Sequence, residues 1–168
     1  MYDSLLDAYI LSLFDRGFET AYDLQTHGGI SLGSSVPALK RMESSGLIER
    51  KASANNGKRS RYAFSLTEEG RQIVQRCWAS LLATPPPGDL DSVLRTVDIL
   101  KTYRVAPRHI AKYLSQASAN RAKLASKASS NHLSSTPGAG YLADRLRWDL
   151  QRARAEAKFL SQLAKSVV

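Results

Sequence analysis

Residues 20–46, TAYDLQTHGGISLGSSVPALKRMESSG, constrain the fold of this chain more than any other stretch. Thr20 is followed three residues on by Asp23, a capping-box-like start for a short helix, and His27-Gly28-Gly29 ends that helix in residues that accept a positive φ. Ile30 then leads into Ser31 and Ser34, either of which can cap a second helix. With Ser34 as the cap, Pro37 falls in the first turn, where its missing N–H removes only a donor that is unpaired anyway; a start at Ser31 places the proline deeper and requires a kink. From Pro37 onward Ala38, Leu39, Met42 and the terminal Leu47 point inward, while Ser34, Ser35, Lys40, Arg41 and Ser44 face outward. A short polar and basic helix held against a packed partner is what the major groove of DNA admits.

The flanking segments supply that partner. Residues 3–16 place Leu5, Leu6, Tyr9, Ile10, Leu13 and Phe14 at helical spacing with Gly17 as the stop, and this helix is apolar on more than one side. After Gly46, a well-placed helix terminator, 47–53 and 61–66 are expected as two strands, with Tyr62, Phe64 and Leu66 alternating against Arg61, Ala63 and Ser65. Between them Asn55-Asn56-Gly57 supplies the positive φ values of a hairpin tip, and Lys58, Arg59 and Arg61 project beyond it. Thr67-Glu68-Glu69 opens a further helix whose apolar stripe is Ile73, Val74, Cys77, Trp78 and Leu81. The single cysteine excludes an internal disulfide and, placed in that stripe, is expected as a buried structural thiol.

These residues carry a family resemblance. The run Ser34-Ser35-Val36-Pro37-Ala38-Leu39-Lys40-Arg41-Met42-Glu43, the Ser45-Gly46-Leu47-Ile48 that follows, a Gly-Lys-Arg tip and Leu66-Thr67-Glu68-Glu69-Gly70 resemble the PadR-like winged-helix transcriptional regulators over roughly residues 5–80. Two positions depart from the pattern: Val36 stands where the family usually has tyrosine before the helix proline, and Ala63-Phe64 stands where it has an aromatic pair. The first removes a hydroxyl available to DNA. The resemblance implies a winged helix that binds DNA as a dimer formed by C-terminal helices, and in some relatives release by an aromatic small molecule.

The second half of the chain is consistent with such a helical region. Thr84-Pro85-Pro86-Pro87-Gly88 is a stiff break. Beyond it 89–103 is an amphipathic helix, Pro107 begins a longer one to about residue 131, and 134–140 is a loop. The last helix, from Tyr141, carries Ala143, Leu146, Leu150, Ala153, Ala157, Leu160, Ala164 and Val167 in four-three alternation, a heptad seam. Pairing with a second copy buries such a seam; a hairpin of the last two helices within one chain is the alternative. Trp148 and Phe159 lie off the seam with Ala155, on a second stripe expected to line a pocket for an aromatic effector.

The expected fold class is therefore mainly α with a small β-hairpin, comprising a winged helix-turn-helix at 1–83, a linker at 84–88 and a helical dimerisation region at 89–168. Net charge of +9 favours an anionic partner. Residues 40–61 carry seven bases against two acids, and 101–127 seven bases and no acid. The DNA-contacting set expected from this pattern is Ser34, Ser35, Val36, Lys40 and Arg41 on the second helix with Asn55, Asn56, Lys58, Arg59 and Arg61 in the wing. No metal-ligand spacing, nucleophile elbow or phosphate-cradling loop is present in the sequence, so neither a cofactor nor an enzyme is expected. No apolar run spans a bilayer, and the expected setting is cytoplasmic. A winged helix also serves as a protein-interaction adaptor; bases on both the second helix and the wing tip favour duplex DNA over that alternative.

Overall fold

A computed structural model of the chain describes residues 4–52, 62–133 and 140–167, for residues 52, 128–133, 142 and 143 in backbone alone. The chain divides into two compact units, Met1–Ser80 and Leu81–Val168.

The first unit is built around α1, Leu5–Asp15. Ser4 caps it, accepting from the Asp7 N–H at 3.2 Å, and every residue from Asp7 to Phe14 is buried. A helix that is apolar on more than one side has to be covered on more than one side, as expected from the sequence. Then come α2, Ala21–Thr26, and α3, Leu32–Ser44. The turn between them depends on glycine: a Cβ on Gly28 would lie 2.6 Å from Leu13 Cδ1 and 2.7 Å from the Leu24 carbonyl oxygen, and Gly29 has φ +60°.

Strands β1, Ile48–Ala52, and β2, Tyr62–Leu66, pair antiparallel with Ile48 opposite Leu66 and Ala52 opposite Tyr62. Ile48, Phe64 and Leu66 turn inward, whereas Tyr62 at the outer end is half exposed, so the buried face fades toward the hairpin tip. Phe64 stacks on Phe14 of α1 with centroids 6.2 Å apart, and its N–H donates to the Glu19 carbonyl at 2.7 Å. Helix α4, Glu68–Ala83, follows. Thr67 Oγ1 donates to the Gly46 carbonyl at 2.6 Å and accepts from the Gly70 N–H at 3.1 Å, so one hydroxyl caps α4 and locks it to the end of α3. Of the expected α4 stripe, Val74 and Cys77 are buried and Trp78 is exposed.

The second unit consists of the end of α4, then α5, Leu90–Thr102, α6, Pro107–Leu133, and α7, Gly140–Val167. Asp89 caps α5 by accepting from the Ser92 N–H at 2.7 Å, and Pro107 opens α6 at a position where its missing N–H costs nothing. Val93, Val97 and Leu100 of α5 and Ile110, Leu114 and Ala117 of α6 close over Leu160 and Ala164 of α7. Ser118 Oγ donates to the Ala157 carbonyl at 2.9 Å, and Glu156 lies between Arg121 and Arg152, each at 2.9 Å.

That core corrects one expectation. Leu160 and Ala164, assigned above to a contact between subunits, are buried inside their own chain, because α6 runs alongside α7 and offers Leu114 and Ala117 to the seam. The intramolecular hairpin therefore covers the C-terminal end of the heptad. Leu146, Leu150, Ala153 and Ala157 are half-buried.

Candidate nucleic-acid interface

The α2–turn–α3 unit is fixed at its start by a capping box. Thr20 accepts from the Asp23 N–H at 3.1 Å, while the Asp23 carboxylate accepts from the N–H groups of Thr20 and Glu19 at 2.9 and 3.2 Å and from the Thr20 hydroxyl at 2.8 Å. Burial alone raises the Asp23 pKa, but the Thr20 hydroxyl and the two N–H groups outweigh it and hold the carboxyl below its ordinary value.

Helix α3 begins at Ser31, not Ser34. Ser31 Oγ accepts from the Ser34 N–H at 3.3 Å, and Pro37 stands inside the helix. The earlier start adds a turn in front of the proline. The deciding residue is Ile30, which is buried and hydrogen-bonded back to the Leu24 carbonyl at 3.1 Å, so the chain is already in place to turn upward at Ser31.

The side chains expected to face DNA divide between the two faces of the helix. Ala38, Leu39 and Met42 are buried as expected, and Ser35 is buried with them at 0% exposure, its hydroxyl turned toward the Leu32 carbonyl. Ser35 is thus a packing residue: it lies three residues before Ala38 and four before Leu39, on the inward face. Arg41 reaches the surface, but its guanidinium is held by Asp7 of α1 through Nε at 3.3 Å and Nη2 at 2.5 Å. Ser34 is exposed and shares a 3.0 Å hydrogen bond with Ser31. Val36 and Lys40 are exposed one turn apart. Asn55, Asn56, Lys58, Arg59 and Arg61 lie outside the described residues.

Two residues that the sequence reading did not single out organise the site. Asp7 is the carboxylate inside the apolar run of α1, whose other acid, Asp15, stands exposed at its end; a carboxylate in that position demands a cationic partner and was the available signal. Arg50 of β1 donates to Glu43 of α3 at 2.8 Å, and its guanidinium lies 4.4 Å from the Tyr62 ring centroid and 5.7 Å from that of Phe64. Helix α3 is therefore pinned to α1 by one ion pair and to the base of the hairpin by another. Thr20, Tyr22, Val36, Leu39, Lys40, Tyr62 and Phe64 are among the residues lining a cavity of about 340 Å³ beside its outer face.

The chain is similar to a bacterial PadR. The matching structure is the crystal structure of Bacillus subtilis PadR in complex with operator DNA, 18% identical over 98% of this chain and 100% of that one, with a TM-score of 0.43. No family model and no curated protein matches the chain.

On α7, Trp148 is 61% exposed and Phe159 44%. Tyr141, seven residues before Trp148, is 82% exposed, and Ala155, seven after it, is exposed as well. Among the described residues of the second unit, this second stripe is an exposed apolar face of α7, whereas the Leu160–Ala164 end of the first is buried. None of the helices described is long and apolar enough to cross a membrane.

Proposed function

We propose that the protein is a sequence-specific regulator of transcription, of the repressor type, that binds double-stranded DNA as a homodimer. The observation that carries this reading is the disposition of α3. One face, Ser35, Ala38, Leu39 and Met42, is buried, and the opposite face presents Ser34, Val36 and Lys40 to solvent, so the helix is held out by its own domain. In this reading α3 enters the major groove, and the wing residues Asn55, Asn56, Lys58, Arg59 and Arg61 approach the backbone. A net charge of +9 supplies the sequence-independent attraction.

The homodimer contact is assigned to the exposed stripe of α7, Tyr141, Trp148 and Phe159. Heptad spacing from Tyr141 through Trp148 to Ala155 suits a second copy of the same helix. Assigned to a subunit contact, Trp148 and Phe159 are not available to an aromatic effector, and this reading includes none.

The test is selection of bound duplexes from a random pool by the full chain, followed by gel retardation over a salt series. Retardation that survives competitor DNA and weakens linearly with the logarithm of salt supports the reading. Failure to retard any duplex at low salt would overturn it and favour the protein-adaptor alternative.

A further inference from the structure

Three of the polar side chains expected on the outer face of α3 are engaged within the domain. Ser35 is buried, the Arg41 guanidinium is occupied by Asp7, and the Ser34 hydroxyl is shared with Ser31. What the first two turns expose instead is apolar. Leu32 is 47% exposed and Val36 42%, and a four-residue separation sets one above the other on the same face. Lys40 continues the row by one more turn, and Tyr22 of α2, 59% exposed, lines the adjacent cavity together with Val36 and Lys40.

Packing within the domain does not account for Leu32 and Val36, since the inward positions of α3 are filled by Ser35, Ala38, Leu39 and Met42. The edges of the base pairs in the major groove offer a single apolar group, the C5-methyl of thymine, and small apolar side chains are what contact it. Lys40, without a hydrogen-bond or ion-pair partner among the described residues, adds charge complementarity to the duplex one turn along.

We propose that Val36, with Leu32 beside it, is a specificity-determining residue that reads a thymine methyl group. The inference rests on the DNA-binding reading above and adds to it the class of base recognised: T at the position facing Val36, recognised by its methyl group and not by its hydrogen-bonding edge.

Deoxyuridine differs from thymidine only by that methyl, which makes the test direct. The preferred duplex is selected with the full chain, each T is replaced singly by dU, and wild type is compared with Val36→Ala and Leu32→Ala. One position is expected at which dU weakens wild type about fourfold, the equivalent of one buried methyl, and at which Val36→Ala binds dT and dU duplexes equally. Both residues are exposed, so unchanged thermal melting of the variants confirms that the fold is intact. The proposal is overturned if the selected duplex has no T, if wild type is indifferent to dU throughout, or if Val36→Ala keeps the wild-type dT/dU ratio. In those three cases DNA binding itself still stands. A chain that retards no duplex at low salt overturns both readings together.

Discussion

Arg41 grips both carboxylate oxygens of Asp7, with Asp7 2% exposed and Arg41 43% exposed, so the two ends of this ion pair differ in their access to water. The asymmetry gives the two partners unequal weight. Deleting Arg41 leaves a carboxylate buried without its cation, whereas deleting Asp7 lets the arginine swing into solvent. Arg41→Ala is therefore expected to destabilise the first unit by about 3 kcal/mol, and Asp7→Ala by about 1 to 2 kcal/mol. Urea unfolding of both variants checks the order. Equal losses, or a larger one for Asp7→Ala, would show that the pair is not held as described.

Gly70 lies where the start of α4 meets the turn after α3. A Cβ there would sit 2.0 Å from the Leu47 carbonyl oxygen, a backbone atom that cannot rotate away. Gly70→Ala should consequently lower stability by about 2 to 3 kcal/mol, in the range of overpacked cores, even though alanine favours a helix. A melting temperature equal to wild type would mean that the junction is looser than this.

Burial pushes the Cys77 thiol up from 9.0 to about 11, against a weaker opposing backbone hydrogen bond. The folded chain holds this proton more tightly than the unfolded one. The resulting stability is full below pH 9, and it is lost as pH rises from there to about 11. Since the thiolate is the reactive form, a disulfide reagent at pH 8 should leave native Cys77 unmodified and label it quickly in denaturant. Stoichiometric labelling of the native protein at a denatured-state rate would contradict the burial.

Leu160 and Trp148 lie on the same helix and are expected to fail in different ways. Leu160 is fully buried in its own chain, so Leu160→Ala should cost about 3 kcal/mol without changing the assembly state. Trp148→Asp should leave the helical unit folded and shift the protein toward monomer by light scattering. A Trp148→Asp protein with the mass of wild type would remove the second stripe as the subunit contact.

Much of this fold was legible because its signals are local. The capping box at Thr20 and Asp23, the glycine turn at Gly28 and Gly29, the alternation of Phe64 and Leu66 and the proline start of α6 each act within a few residues, where hydrogen bonding and sterics are fixed by the sequence itself. The sequence alone therefore determined the order of elements, the hairpin and the inward set Ala38, Leu39 and Met42. What it left open needed a partner distant in the chain. Whether α3 began at Ser31 or Ser34 turned on where buried Ile30 was anchored. Arg41 reads as an outward cation until α1 brings a carboxylate 34 residues away within hydrogen-bonding distance. A heptad seam likewise records that a helix face must be covered without recording by what, because an apolar stripe loses the same water to a helix of its own chain as to one of another. Only the tertiary structure laid α6 against Leu160 and Ala164, with Tyr141, Trp148 and Phe159 exposed on the same helix.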